Sequence, residues 1–355
     1  MRLLHKLSFL LLWWFIVSCC YCEQPLQGKP LPSFSGTNQY YLFYKPGVMV
    51  DDVFTSAKSL GLTVIRTWAF CEGAFHDGFC FQPQPRAYHE PTFVQLDSVL
   101  AKARQNNIKL ILVLANNWGD FGGIPQYLNW FGLSNHDDFY RDWRVKETYK
   151  AYISYLLNRV NTITGVKYKD DPTILAWELC NEPRSSDLPV FYAWVDEMAN
   201  YVKSIDPNHL LTTGSEGAIA SDVYETHRSA AIDFVSFHLY PDSWGFDQER
   251  SNQYIRDHAR IARSLNKPAF MGEFGFRDKS RRRGVYQQWY EILKQEKVEG
   301  AAFWLLSGRQ LDGSLYPDYD GFTVYVPEST DVIDVIQGYS RYVNASSLEK
   351  PGSDL

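Results

Sequence analysis

Eight short runs rich in Val, Ile, Leu and aromatic residues alternate with longer stretches of helical period, and this rhythm predicts a single-domain (β/α)8 TIM barrel of the α/β class. Two further observations agree. The notable polar side chains fall at the C-terminal ends of the runs, and in such a barrel those ends converge on one face. No repeat, low-complexity tract or linker divides the chain, so one domain is expected over residues 23–355. A doubly wound open sheet is the alternative that strand counting leaves open, and the placement of the polar residues decides for the barrel.

The strands are read at residues 35–41, 62–70, 109–118 and 174–182, then at 210–217, 234–240, 269–275 and 301–308. Helices fit between them, most clearly at 93–107, 145–163 and 191–205, and 331–343 supplies a closing helix after the eighth strand. Asp171-Pro172 and Asp206-Pro207 mark sharp entries into the strands that follow. The basic run at 281–283 stands where a helix should begin and reads as a solvated face.

Residues 1–22 read as a secretory signal. Arg2 and Lys6 start it, an apolar run spans 7–17, and Ser18, Cys20 and Cys22 offer small residues for cleavage. A membrane anchor is the competing reading, but the run falls short of the roughly 20 residues a span needs. Removing Arg2 and Lys6 takes the formal charge from -6 to -8, a balance that gives nucleic acid nothing to bind. A secreted, extracellular monomer with no membrane contact after signal removal is expected.

In an oxidising compartment Cys71 and Cys80 most simply form a disulfide, which leaves Cys180 buried and free. A zinc site from Cys71, His76, Cys80 and His89 matches no familiar spacing. Asn344-Ala345-Ser346 is a lone glycosylation sequon. The 11 Trp, 23 Tyr and 22 Phe exceed what a core needs, and their flat, partly polar faces suit sugar rings.

The chemistry collects at the strand ends. Arg66 closes the second run, Asn116, Asn117 and Trp118 the third, and Asn181 and Glu182 the fourth. Glu216, His238, Tyr240 and Glu273 follow the next three, and Trp304 lies in the eighth. Glu182 and Glu273 are far apart in sequence, yet a barrel sets their strands nearly across its mouth. Two carboxyls flanking a bond are what glycoside hydrolysis requires, one protonating the leaving oxygen while the other attacks or activates water. A carboxylate beside Arg66 and Tyr240 would be held ionised, and one less well paired with cations would keep its proton.

Taken singly, each feature has a plain structural explanation. Asn-Glu-Pro can be a turn, Gly272-Glu273-Phe274-Gly275 a glycine bend, His238 a core histidine, Arg66 an internal ion-pair partner, and Trp118 and Trp304 packing. Their conjunction at one rim is much harder to dismiss.

"NEP" and "GEFG", with "IRTWAF", "HLYP" and the eighth-strand Trp, resemble the signatures of glycoside hydrolase family 5. "SGTNQYYL", "VIRTWAF", "NNWGDFGG", "DDPTILAWELCNEPR" and "YPDYDGFTVY" resemble segments of its mannan endo-1,4-β-mannosidases, and the likeness runs from about residue 28 to 345. The resemblance implies Glu182 as acid/base and Glu273 as nucleophile. It also implies Asn181 on the sugar 2-hydroxyl, Arg66 and Tyr240 holding Glu273, His238 near Glu182, Trp304 under the sugar, and Arg184 on the leaving-group side. Trp68 and Trp118 are candidates for neighbouring subsites, and Asn117 is a further substrate-binding candidate. Asn116 and Asn117 stand where many family members carry a histidine, and Cys180 where a small or apolar residue is usual.

The resemblance therefore implies a cofactor-free, retaining enzyme acting on β-mannan, glucomannan or galactomannan, with no metal. A β-1,4-glucanase and a non-catalytic carbohydrate-binding barrel are the rivals. Calcium at Asp312, Asp318 and Asp320 fails the twelve-residue loop pattern.

Overall fold

The computed structural model describes residues 30–74, 78–217 and 220–348. Its centre is one parallel sheet of eight strands: β1 (Phe34–Asn38), β2 (Val64–Trp68), β3 (Lys109–Val113), β4 (Ile174–Glu178), β5 (Leu210–Thr212), β6 (Val235–Leu239), β7 (Ala269–Phe274) and β8 (Gly300–Phe303). The order β5-β4-β3-β2-β1-β8-β7-β6 follows the chain around a nearly closed ring in which β1 pairs with β8. This is the predicted (β/α)8 barrel.

Among the described residues β5 and β6 share no ladder, and isolated bonds close the gap. Asp233 N donates to Leu211 O at 2.8 Å, and Leu211 N to Asp233 Oδ2 at 2.8 Å. Thr212 Oγ1 donates to Phe234 O at 3.0 Å, Gly214 N to Ser236 Oγ at 3.1 Å and His238 N to Glu216 O at 2.9 Å. Polar backbone that a ladder would satisfy finds partners this way.

The interior is layered by strand alternation. Phe34, Val64, Ile111, Ala176, Leu210, Phe234, Phe270 and Ala302 form one apolar cluster at the bottom. Two residues further along, Arg66, Glu178, Thr212 and Ser236 are all fully buried, so a polar layer begins directly above the apolar plug.

The strands are shorter than the sequence reading, three to six residues each. Residues 114–118, 179–182 and 213–217 leave the ladder, and Asn116 and Asn181 keep a single isolated bridge. The chain there turns its polar side chains towards the barrel mouth, which the strict alternation of a strand forbids.

Helices α1 (Gly47–Ser59), α2 (Glu90–Gln105), α3 (Gly123–Trp130), α4 (Asp138–Arg141), α5 (Trp143–Asn158), α6 (Leu188–Ile205), α7 (Ala220–His227), α8 (Pro241–Trp244), α9 (Gln248–Ser264), α10 (Lys279–Glu296) and α11 (Ile333–Leu348) complete the units. Asp142, Asp187, Asp247 and Asp278 cap α5, α6, α9 and α10, each accepting a first-turn N–H. The basic run behaves differently from its reading. Arg283 is exposed and pairs with Asp334, but Arg282 is fully buried on Asp331 and the carbonyls of Phe322 and Thr323, tying α10 to the loop after β8.

Cys71 and Cys80 form the expected disulfide and Cys180 is a buried free thiol. His76 of the zinc alternative lies outside the described residues, as does the expected signal at 1–22. Asn344 is half-buried on α11 and its Nδ2 donates to Gly61 O at 3.1 Å. Among the described residues no helix is long and apolar enough to cross a membrane.

The helix predicted at 145–163 stops at Asn158, because Arg159 turns to extended backbone and its guanidinium reaches Asp97 on α2. Buried Asp97 also accepts from Tyr168 Oη (2.6 Å), Thr162 Oγ1 (2.8 Å) and Thr162 N (3.0 Å). Asp97→Ala leaves Arg159 with only the exposed Glu90 and strips Tyr168 and Thr162 of their buried acceptor, and should lower unfolding free energy by about 3 kcal/mol. Glu90, the exposed partner of Arg159, should cost under about 1 kcal/mol on the same change. Urea unfolding of the two variants checks the contrast.

Candidate active site

The site is built upward from Arg66, which β2 places at the barrel centre with no exposure. All five guanidinium donors are used. Nε and Nη2 grip Glu178 at 3.0 and 2.5 Å, Nη1 donates to Asn38 Oδ1 at 3.0 Å and Glu273 Oε1 at 2.5 Å, and Nη2 donates to Asn181 Oδ1 at 2.8 Å. The cation thus binds the ends of β1, β4 and β7 to β2. A guanidinium suits this place because it stays charged and its planar fork fits a carboxylate.

Glu273 reaches the cleft through a break in register. Phe237 pairs with Met271 but His238 pairs with Glu273, so Gly272 is an extra residue in β7 that changes its phase. A Cβ on Gly272 would sit 3.2 Å from the His238 ring, a tight contact that glycine avoids. Tyr240 Oη, at the N-cap of α8, donates to Glu273 Oε2 at 2.7 Å.

Glu182 is delivered differently. It has a left-handed φ of 48°, immediately before Pro183. Non-glycine residues hold this conformation at a cost of about 1–3 kcal/mol, which the surroundings must offset. Asn181 N and Glu182 N donate to Ala115 O and Gly214 O at 2.8 and 2.9 Å, fixing the turn. Gly214 lets the chain pass there, since a Cβ would stand 2.0 Å from Cys180 O and 2.5 Å from Glu178 Oε1.

The Glu182 carboxylate accepts from Trp118 Nε1 (2.7 Å) and lies 2.8 Å from His238 Nδ1. His238 Nδ1 is also 3.7 Å from Glu273 Oε2, and ligand atoms of the three residues lie within 4.8 Å of one another. Among the described residues this is the one such group of three His, Cys, Asp or Glu able to hold a metal. Arg66, 2.5 Å from Glu273, sets a fixed positive charge against any cation there.

Burial pushes the Glu273 carboxyl up, and His238, Arg66 and Tyr240 pull against it without reversing the direction. Burial pushes Glu182 the same way, but the bond and charge of His238, the Trp118 N–H and Arg184 bring it below the usual range. His238 is raised, with burial opposed and outweighed by Glu273 and Glu182. The residues alone left open which carboxyl keeps its proton, and the resemblance implied Arg66 and Tyr240 holding Glu273. Glu273 has the closer permanent cation in Arg66, yet burial leaves it raised while Glu182 is lowered.

Around the carboxylates runs a cleft of about 760 Å³. Of the residues named from the sequence, Trp68, Trp118, Asn181, Glu182, Arg184, Tyr240, Glu273 and Trp304 line it. Arg66 and His238 lie beneath it, buried behind the carboxylates they hold. Asn117 is the exception. Its Oδ1 faces His136 Nε2 at 3.0 Å in an adjacent recess.

Trp304 follows β8 and its Nε1 donates to Asp320 Oδ2 at 2.6 Å, which sets the ring against Tyr40 and Trp68. Asp320, weighed above as a calcium ligand, thus orients an indole. Asp318 accepts from Gly321 N and Thr323, and Asp312 from Ser314. Arg184 pairs with Glu216 at 2.6 Å and lies over the Trp118 ring at 4.8 Å. Sequence reasoning missed Asn38 and Glu178, which hold Arg66, and Tyr40, Tyr44, Tyr316 and Tyr319, which line the cleft. For Glu178 a signal existed, a charge two residues before Cys180 inside an apolar strand with no water to solvate it.

Residues 50–308 match the model of a GH family 5 β-mannosidase-like family. The chain is 35% identical to putative mannan endo-1,4-β-mannosidase 4 of Arabidopsis thaliana, covering 89% of this chain and 88% of that protein. It is 37% identical to mannan endo-1,4-β-mannosidase 7 of the same plant, over 89% and 82%. The solved endo-1,4-β-D-mannanase of Thermotoga petrophila RKU-1 superposes with a TM-score of 0.82 at 38% identity, covering 87% of this chain and 99% of that one. That of Rhizomucor miehei gives 0.81 at 34% identity, with 90% and 96% covered. With a barrel, two facing carboxyls and this coverage together, the chain belongs to glycoside hydrolase family 5, in its β-mannosidase-like group.

Proposed function

We propose that this protein is a secreted mannan endo-1,4-β-mannosidase, cleaving internal bonds of mannan, glucomannan and galactomannan with retention of configuration. The observation that carries the reading is the spacing of the carboxyls. Oxygens of Glu182 and Glu273 approach within 4.8 Å. Retaining enzymes set their carboxyl groups about 5–5.5 Å apart, whereas inverting enzymes leave room for a water at about 6.5–9.5 Å.

Glu273 is the nucleophile in this reading. Arg66 and Tyr240 each hold one of its oxygens, so its attacking lone pair is aimed and its negative charge answered. Glu182 is the acid/base. The proton it gives to the departing oxygen is held between Glu182 and His238, which are 2.8 Å apart, and Glu182 later takes a proton from the incoming water. Asn181 is oriented by Arg66 and Asn116 to meet the sugar 2-hydroxyl, and Trp304 offers an indole face to the ring's C–H groups. Mannan as substrate rests on the relatives' named activity. No cofactor is required.

Glu273→Ala should keep the fold by circular dichroism and lose essentially all release of reducing sugar from mannan. Turnover at the wild-type rate would end the assignment. Comparing wild-type turnover on mannan and carboxymethylcellulose separates the proposal from a glucanase, and binding of mannooligosaccharide without cleavage would favour the non-catalytic barrel.

Activity needs Glu273 ionised, so it falls as pH drops through that group's raised pKa. Tyr240 favours the ionised form. Tyr240→Phe should therefore move the acid limb of kcat/KM to higher pH, by roughly half to one unit, in a pH-rate profile.

A further inference from the structure

Below the cleft lies a carboxylate that the reaction does not touch. Glu178, the last residue of β4, has no exposure, and both of its oxygens go to Arg66. Nε donates to Oε2 at 3.0 Å and Nη2 to Oε1 at 2.5 Å, the two-bonded fit of a guanidinium to a carboxylate. Among the described residues no other donor serves it. Gly214 packs over Oε1 so closely that a Cβ there would stand 2.5 Å away, and Glu178 lies apart from the residues that line the cleft.

Glu273 holds the same cation by one bond, from Arg66 Nη1 to Oε1 at 2.5 Å. The other two acceptors on Arg66, Asn38 and Asn181, carry no charge. One buried guanidinium therefore has two anions, and the chemistry uses only one of them. When a Glu273 oxygen bonds to the anomeric carbon, the glycosidic C–O bond breaks and its oxygen takes the proton of Glu182. Glu273 becomes a neutral ester, and the negative charge passes to Glu182, whose bonds go to Trp118 and His238. A buried cation stripped of its sole counter-charge is strongly destabilised. Water then attacks the same carbon, gives a proton to Glu182 and releases Glu273 as an anion again.

We propose that Glu178 is a positioning residue that keeps Arg66 paired while Glu273 carries the sugar, and that by sharing the cation it leaves Glu273 the more reactive anion. The proposal rests on Glu273 being the nucleophile. Burial opposes the Glu273 anion, His238, Arg66 and Tyr240 favour it, and Glu182 opposes it. With Glu178 made neutral, the full charge of Arg66 falls on Glu273, which then binds a proton less readily and attacks carbon less readily.

Profiles of rate against pH on mannohexaose test this in wild type, Glu178→Gln and Glu178→Asp. Glu178→Gln should lower kcat/KM at neutral pH by about tenfold or more and move its acid limb to lower pH by roughly one unit, opposite in direction to Tyr240→Phe. Glu178→Asp keeps the charge and loosens the fit, so its acid limb should stay within about 0.3 unit of wild type whatever its rate. An unchanged kcat/KM in Glu178→Gln, or an acid limb that stays, rises, or falls equally in Glu178→Asp, overturns the proposal. If Glu178→Gln does not fold, Glu273→Gln decides, since its side chain is neutral like the ester. With Glu178 still answering Arg66, it should unfold no more than about 4 °C below wild type, and a larger loss overturns the proposal. Loss of turnover in Glu273→Ala beside an unmoved limb in Glu178→Gln sinks this proposal alone. Turnover surviving in Glu273→Ala sinks the nucleophile assignment beneath it.

Discussion

One buried guanidinium sets the terms for the rest of this site. Arg66 has no exposure, and a charge so placed is tolerated when its donors are all answered. Answering them requires Glu178, Asn38, Glu273 and Asn181 to converge from three other strands, so satisfying Arg66 and assembling the site are the same structural event. The apolar plug below and the polar layer above follow from strand period. The mouth of the barrel is polar because its floor is an ion cluster that must stay dry.

That cluster explains why the two facing carboxyls are not equivalent. Glu273 is fixed by a permanent cation and a phenol. Glu182 is fixed by an indole N–H and by His238, whose own charge depends on the proton in question. The first arrangement favours a directed anion, and the second a proton able to move over 2.8 Å. Two local irregularities make this possible, the Gly272 bulge and the left-handed Glu182, and both depart from strand geometry where the side chain must be re-aimed.

Much of this was legible in the sequence. Strand-length apolar runs ending in Asn, Glu, His or Tyr pointed to the barrel and to its rim, and most of the named residues do line the cleft. What was not legible depends on three dimensions. Glu178 looked like a stray charge in an apolar strand, because its partner Arg66 is 112 residues away in sequence. The true ends of β3, β4 and β5 were hidden because propensity continues past the point where the ladder stops. Arg282 read as solvent-facing because three arginines in a row carry no mark of which one turns inward. Asn117 was drawn to the cleft by its neighbours Asn116 and Trp118, whereas its carboxamide serves His136.

Two carboxyls so close together impose a stereochemistry on the product. Proton NMR of the first product released from mannohexaose, recorded before mutarotation, reads it directly. Double displacement at Glu273 predicts that the new reducing end appears first as the β-anomer and only later equilibrates. The α-anomer appearing first would mean that water, and not Glu273, attacks the sugar, and would contradict the geometry described above.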